Sequence, residues 1–173
     1  MEIAHALDFF ATKRGVALLP MERDAAQLYR GPAPVEHASD VNFEAPFSVR
    51  ETLRAKSALA LMKDVGIRAA LVTEGSNDGQ FQRICGLIGA RDLQRELLGR
   101  PEPELALAEV MTAWDDVSVV QWDAVCSLTT RQLHDMFLGT GLDHVVVVDH
   151  AAKSQTHVRA ILSRPALAQR LRH

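Results

Sequence analysis

Aromatic residues are scarce: six Phe, two Trp and one Tyr make up 5% of the 173 residues. A core built from this chain therefore rests on Val, Leu, Ile and Ala. Cysteine is nearly absent, and Cys85 and Cys126 each lie inside an apolar segment. That reads as two reduced core thiols, because a disulfide framework needs more cysteines in a shorter chain. Positive charge is not in excess. With 19 Lys and Arg against 22 Asp and Glu, the formal charge is −3, and no basic face is available to release counterions from nucleic acid. No apolar run reaches the roughly 18 residues of a membrane-crossing helix. The opening Met1-Glu2-Ile3-Ala4-His5 has no basic n-region, so no secretory leader is expected and the reading is cytoplasmic.

Catalytic signatures are missing as well. There is no nucleophile elbow, no phosphate-cradling glycine loop and no acid pair at a fixed spacing. Ser163 has no identifiable base. His144, His150 and His157 fall on a strand end, a loop and the next strand's start, without HxH or HExxH spacing and with no cysteine close by. Neither an enzyme nor a metal site is expected. Trp114-Asp115-Asp116 reads as a solvated acidic turn.

What is present is periodic. Residues 1–34 form an arm: Ile3, Leu7 and Phe10 share a helical face, Val16 to Leu19 is a short strand candidate, and a second short helix stops at Gly31-Pro32. The arm is too small to bury its own apolar face, so it is expected to pack on the main domain or across a subunit boundary. Short extended pieces follow at Asp40 to Phe43 and Phe47 to Val49. A helix is expected from about Arg50 to Asp64, with Ala58, Leu61, Met62 and Val65 on one face, ended by Gly66. Ala69 to Thr73 is a strand, Glu74 to Gly79 a loop, Arg83 to Ile88 a returning strand, and a helix carrying Asp92 runs to about Leu98. Gly99 to Pro103 is a linker.

The same order then recurs. Leu107 to Thr112 enters, and Val117 to Val120 is a short strand. A helix from about Ala124 to Leu138 carries Leu133, Met136 and Phe137, and Gly139-Thr140-Gly141 closes it. Val145 to Val148 is the uninterrupted apolar run of a strand buried on both faces. Asp149 to Ser154 is a loop, Val158 to Leu162 a returning strand, and Ser163 opens the last helix. Gly66 and Gly141 stand 75 positions apart, and the same offset pairs Leu71-Val72-Thr73-Glu74 with Val146-Val147-Val148-Asp149. An offset of 74 pairs Gly86-Leu87-Ile88-Gly89 with Ala160-Ile161-Leu162-Ser163. Met62 and Phe137 fall on matched core positions. The single shift lies in a loop, where insertions are tolerated. Two strand-helix-strand-strand-helix repeats thus account for residues 35–173.

Asp92 holds the first turn of its helix. A carboxylate there either sits well against the helix dipole, worth about 0.3–1 kcal/mol, or, beside backbone N–H groups and an arginine, holds the hydroxyls of a sugar.

Gly66-Ile67-Arg68 before Leu71 to Glu74, and Gly86-Leu87-Ile88 before Arg91-Asp92-Leu93, resemble the CBS domain, a β-α-β-β-α module. So do Gly141 to His144 before Val145 to Asp149, then Ile161-Leu162-Ser163-Arg164, with entry through Val110-Met111-Thr112. The resemblance covers about residues 35–170 as a tandem pair. It implies a mixed α/β (α+β) fold: a pseudo-two-fold pair of repeats, residues 35–100 and 101–173, with two clefts between them. It also implies regulation of an attached or partner protein, in an assembly expected to be a homodimer. Adenosine-containing ligands, AMP, ADP, ATP or S-adenosylmethionine, would serve as regulatory ligands rather than cofactors.

The family pattern sets a Thr or Ser, two residues, then Asp at the strand-to-helix turn, with a basic residue before the central strand. Here the first repeat supplies Asp92, Arg68 and Arg91 but has Gly89 at the hydroxyl position. The second supplies Ser163, His144 and Arg164 but has Ala166, after Pro165, at the Asp position. A carboxylate facing a diol contributes more than one neutral hydroxyl, about 1.5–3 against 0.5–1.5 kcal/mol. The first repeat is therefore the expected ribose site. Two readings stand: a ligand-sensing regulatory module, or an assembly module whose incomplete clefts have lost their ligands.

Overall fold

The structure, a computed structural model, describes residues 46–74, 83–100, 104–151 and 155–171. The arm expected over residues 1–34, the extended piece at Asp40 to Phe43 and most of the loop after Glu74 lie outside the described residues. These form two compact units, Pro46–Val117 and the residues from Ser118 onward.

The first unit runs β1 (Ser48–Arg50), α1 (Ala55–Val65), β2 (Ala69–Glu74), β3 (Arg83–Gly89), α2 (Ala90–Gly99), α3 (Leu107–Val110) and β4 (Thr112–Ala113). Its sheet has the order β1-β2-β3-β4, with β1 parallel to β2 and the other pairs antiparallel. Ala55, Ala58 and Met62 of α1 and Leu93 of α2 pack on Ala70, Val72 and Ile88 of the sheet.

Helix α1 starts at Ala55 rather than near Arg50. Arg50 belongs to β1, and the intervening turn is clamped by a segment some fifty residues further on. The Ala55 N–H donates to the Leu105 carbonyl at 2.7 Å, Leu107 N–H to Leu53 at 2.9 Å and Ala108 N–H to Glu51 at 3.1 Å. The buried stripe is consequently Ala55, Ala58 and Met62, while Leu61 and Val65 fall at its edge and are exposed. Gly66 ends the helix at φ +77°, and Ile67 N–H reaches back to the Met62 carbonyl at 3.0 Å. This left-handed cap favours a residue without Cβ.

The second unit runs β5 (Val119–Gln121), α4 (Trp122–Cys126), α5 (Thr130–Thr140), β6 (His144–Ala151), β7 (Gln155–Ser163) and α6 (Arg164–Arg170). Its sheet has the order β5-β6-β7, parallel then antiparallel. Val125, Leu133, Met136, Phe137 and Leu167 from the helices cover Val145, Val147, Ala160 and Leu162. Val145 to Val148 are all buried, as an unbroken apolar run requires.

The helix expected over 124–138 is two helices. Gln132 N–H donates to Thr129 Oγ1 at 3.2 Å and Thr129 N–H donates to Gln132 Oε1 at 2.9 Å. That reciprocal capping box starts α5 afresh. The loop expected at Asp149 to Ser154 begins as strand, since the ladder continues through Asp149 and His150 to Ala151 opposite Gln155, and residues 152–154 lie outside the described residues. Polar composition does not stop pairing on a hairpin whose register is already set. In the first unit, Trp114 is buried in a single 3₁₀ turn while Asp115 and Asp116 are exposed, so the acidic doublet is solvated but its aromatic neighbour is core.

Both units repeat strand, helix, strand, strand, helix. Met62 and Phe137 are matched and fully buried, and Gly141 mirrors Gly66 at φ +69°. Each central hairpin also slips register at the same rung, between Val72 and Thr73 and between Val147 and Val148. The chain is thus mixed α+β, with two small sheets and their helices.

Candidate functional site

All seven candidate residues lie at one joint of each unit, where the last hairpin strand enters the following helix. In the first unit, Ala69 pairs with Gly89 across β2 and β3, and Ala90 N–H donates to the Arg68 carbonyl at 2.8 Å. Arg68 is thereby fixed beside the start of α2. Gly89 is the N-cap, in extended conformation at φ −94°, and Arg91 and Asp92 occupy the first turn.

Arg68 and Arg91 are exposed. The Asp92 side chain retains 45% of its exposure and lies 3.5 Å from Arg95 Nη1, an ion pair one helical turn along. Arg95 is readable in the sequence by its spacing of three from Asp92. A pair this exposed is worth only about 0.2–1 kcal/mol, so it orients the carboxylate without closing it to a hydroxyl donor. The chemical offer of this joint is two carboxylate oxygens for a diol, two guanidinium groups for anionic charge, and the positive end of a ten-residue helix.

The second unit builds the same joint from different groups. His144 faces Ser163 across β6 and β7 and is half-buried. Arg164 N–H donates to the Asp143 carbonyl at 3.0 Å, the counterpart of the Ala90–Arg68 bond. Here a side-chain ion pair is added: Arg164 Nη2 lies 2.5 Å from Asp143 Oδ1, the two side chains 32% and 28% exposed. Nothing local in the sequence marks Asp143 as a partner of this joint. Twenty-one residues separate it from Arg164, so only the folded hairpin brings the pair together. The Ser163 hydroxyl accepts from Ala166 N–H at 3.4 Å as the N-cap of α6. The first turn of α6 carries no acidic residue.

The bulges aim two further side chains. The extra residue is Cys85 in β3 and Arg159 in β7. The Cys85 thiol donates to the Val72 carbonyl at 3.3 Å. Arg159 bonds Asp149 at 2.6 Å and lies 4.1 Å above the Trp122 ring, a stacked cation. Burial pushes the Cys85 thiol up in pKa, reinforced by the Glu51 and Glu74 carboxylates. Burial also raises Cys126, while Arg159 opposes the rise. Both cysteines are free and half-buried. Among the described residues, no three His, Cys, Asp or Glu side chains gather to hold a metal ion. None of the described helices is long and apolar enough to cross a membrane.

No protein-family model and no curated protein matches the chain. Solved structures do. A CBS-domain containing protein from Agrobacterium tumefaciens is 20% identical, with a TM-score of 0.55 over 78% of this chain and 95% of the other. A protein with CBS domains from Burkholderia ambifaria is 22% identical, with a TM-score of 0.54 over 75% and 85%. A CBS domain pair solved in complex with 5′-methylthioadenosine and S-adenosyl-L-methionine is 13% identical, with a TM-score of 0.54 over 80% and 97%.

Proposed function

We propose that this chain, which has the fold of a tandem CBS domain pair, is a regulatory sensor that binds an adenosine-containing ligand at the joint between β3 and α2. The carrying observation is Asp92, half-exposed in the first turn of α2 with Arg68 and Arg91 alongside. The Asp92 carboxylate accepts the ribose diol. The arginines meet the anionic part of the ligand, and Gly89 is the N-cap of α2 with no side-chain cap bond. A pair of the same fold holds adenosine compounds, which supports that ligand class. AMP, ADP, ATP and S-adenosylmethionine are the candidates. Binding would be read out by a partner protein, from a homodimeric chain in the cytoplasm.

Thermal melts with each of the four test this. A ligand present at 100 times its Kd stabilises the folded state by about 2.7 kcal/mol, or roughly 5–10 °C at 2–4 °C per kcal/mol for a chain of this size. The rise should vanish in Asp92→Ala and persist in Ser163→Ala. No rise with any of the four, or an equal rise in Asp92→Ala, removes the proposal.

A second reading, an assembly module without a ligand, is favoured by apolar residues left exposed on helices: Leu98 at 81% on α2, Val65 on α1 and Leu138 on α5. Sedimentation of Leu98→Asp discriminates, since an assembly role predicts a change in mass with no dependence on nucleotide.

A further inference from the structure

We infer that Asp143 is an internal counter-ion that closes the second repeat's strand-helix joint to outside anions, so that each chain takes a single ligand, in its first repeat. This deepens the proposed function and rests on it for the ligand, though not for the closure.

Three observations converge on the closed joint, and a fourth removes its acceptor for a diol. The Arg164 guanidinium is already neutralised by the Asp143 carboxylate at 2.5 Å. The Ser163 hydroxyl is engaged by Ala166 N–H. Pro165 removes the backbone N–H that Arg91 keeps at the equivalent place in α2. Ala166 stands where Asp92 offers its carboxylate. An anion entering there would have to displace the carboxylate from the Arg164 guanidinium, while the Arg164 N–H to Asp143 carbonyl bond at 3.0 Å keeps the two residues side by side. The first repeat has a cation, Arg68, at the counterpart of Asp143; backbone bonds tie its joint, Ala90 N–H to the Arg68 carbonyl and the Ala69–Gly89 rung, and Asp92 pairs along the helix with Arg95 instead.

Two measurements on the full chain decide the matter. Equilibrium dialysis with ATP should count one site per chain, retained in Ser163→Ala and lost in Asp92→Ala. Two sites, or one that survives Asp92→Ala, overturns the inference. The second measurement follows the Arg164 Nε–H resonance while tripolyphosphate is added, and needs no adenosine ligand. It should stay in place in the unmodified chain and move in Asp143→Asn, which keeps the side chain's shape. Asp143→Ala serves as a second variant. Movement in the unmodified chain, or none in either variant, overturns the closure. A chain that binds no ATP yet behaves as expected in the second measurement removes the ligand reading and keeps the closure.

Discussion

The two repeats share a frame and differ in how they use it. Each hairpin is entered through a left-handed glycine, Gly66 or Gly141. Each bulges at the same rung, and each ties its last helix back to the residue before the central strand. On that frame the first repeat leaves Arg68 and Arg91 facing solvent and pairs Asp92 only loosely, 3.5 Å from an exposed Arg95. The second pairs its charge internally, Arg164 with Asp143 and Arg159 with Asp149. Backbone geometry is thus the part held in common, and the satisfaction of charged groups is where the copies diverge. A joint whose charges already have partners gains little from a ligand. One whose charges face water can exchange that water for a ligand's own groups.

The comparison can be broken most severely at the matched cores. Phe137→Ala should cost about 3–5 kcal/mol and Met62→Ala about 2–5, read from urea melts. A small loss at either would mean the two positions are not equivalent in packing. A subtler break lies at Gly86 and its counterpart Ala160. A Cβ on Gly86 would lie 2.5 Å from the Thr112 carbonyl oxygen and 2.7 Å from Met111 Sδ, because β4 crosses there. Gly86→Ala should therefore destabilise by about 1–3 kcal/mol, against roughly 0.5–1 for Ala160→Gly.

The caps sharpen the contrast. Thr129→Ala should cost about 1 kcal/mol by removing the capping box, whereas Arg54→Ala at the equivalent N-cap should stay within about 0.5. Arg54 makes no side-chain cap bond, and its pairing with Glu104 is exposed. The smallest effect is in the thiols. Both have raised pKa values, so alkylation by iodoacetamide should be slow near neutrality and accelerate only above the pH usual for a free thiol. Arg159 opposes the rise at Cys126 while Asp123 and Asp149 add to it, so Arg159→Ala should slow Cys126 and leave Cys85, which faces Glu51 and Glu74, unchanged. An unchanged Cys126 rate in Arg159→Ala, followed by mass spectrometry across a pH series, would show that the bulge arginine does not reach Cys126.

Much of this frame is legible in the sequence because it is written locally. The glycines that end α1 and α5, the valine run of β6 and the doubling itself all depend on neighbours in the chain. So does the Thr129–Gln132 box, a readable signal that separates α4 from α5. What escapes is carried by distant segments. The start of α1 is set by Leu105 and Leu107, the burial of Trp114 by tertiary packing, and the pairing of Asp143 with Arg164 by the hairpin between them. The candidate site follows the same division. Its residue types could be read at the expected turn in each copy, but whether a charge there is open or already answered depends on the fold.

The equal placement of the two glycines and the two bulges makes each hairpin, with the helix that follows it, an exchangeable cassette. Grafting residues 141–171 in place of their earlier counterparts carries the register and the joint chemistry over together, provided the position facing β4 stays glycine as Gly86 is, since a Cβ there would lie 2.5 Å from the Thr112 carbonyl oxygen. A polypeptide with two latched joints, or with two open ones, is therefore within reach of a single cut-and-splice at the glycine.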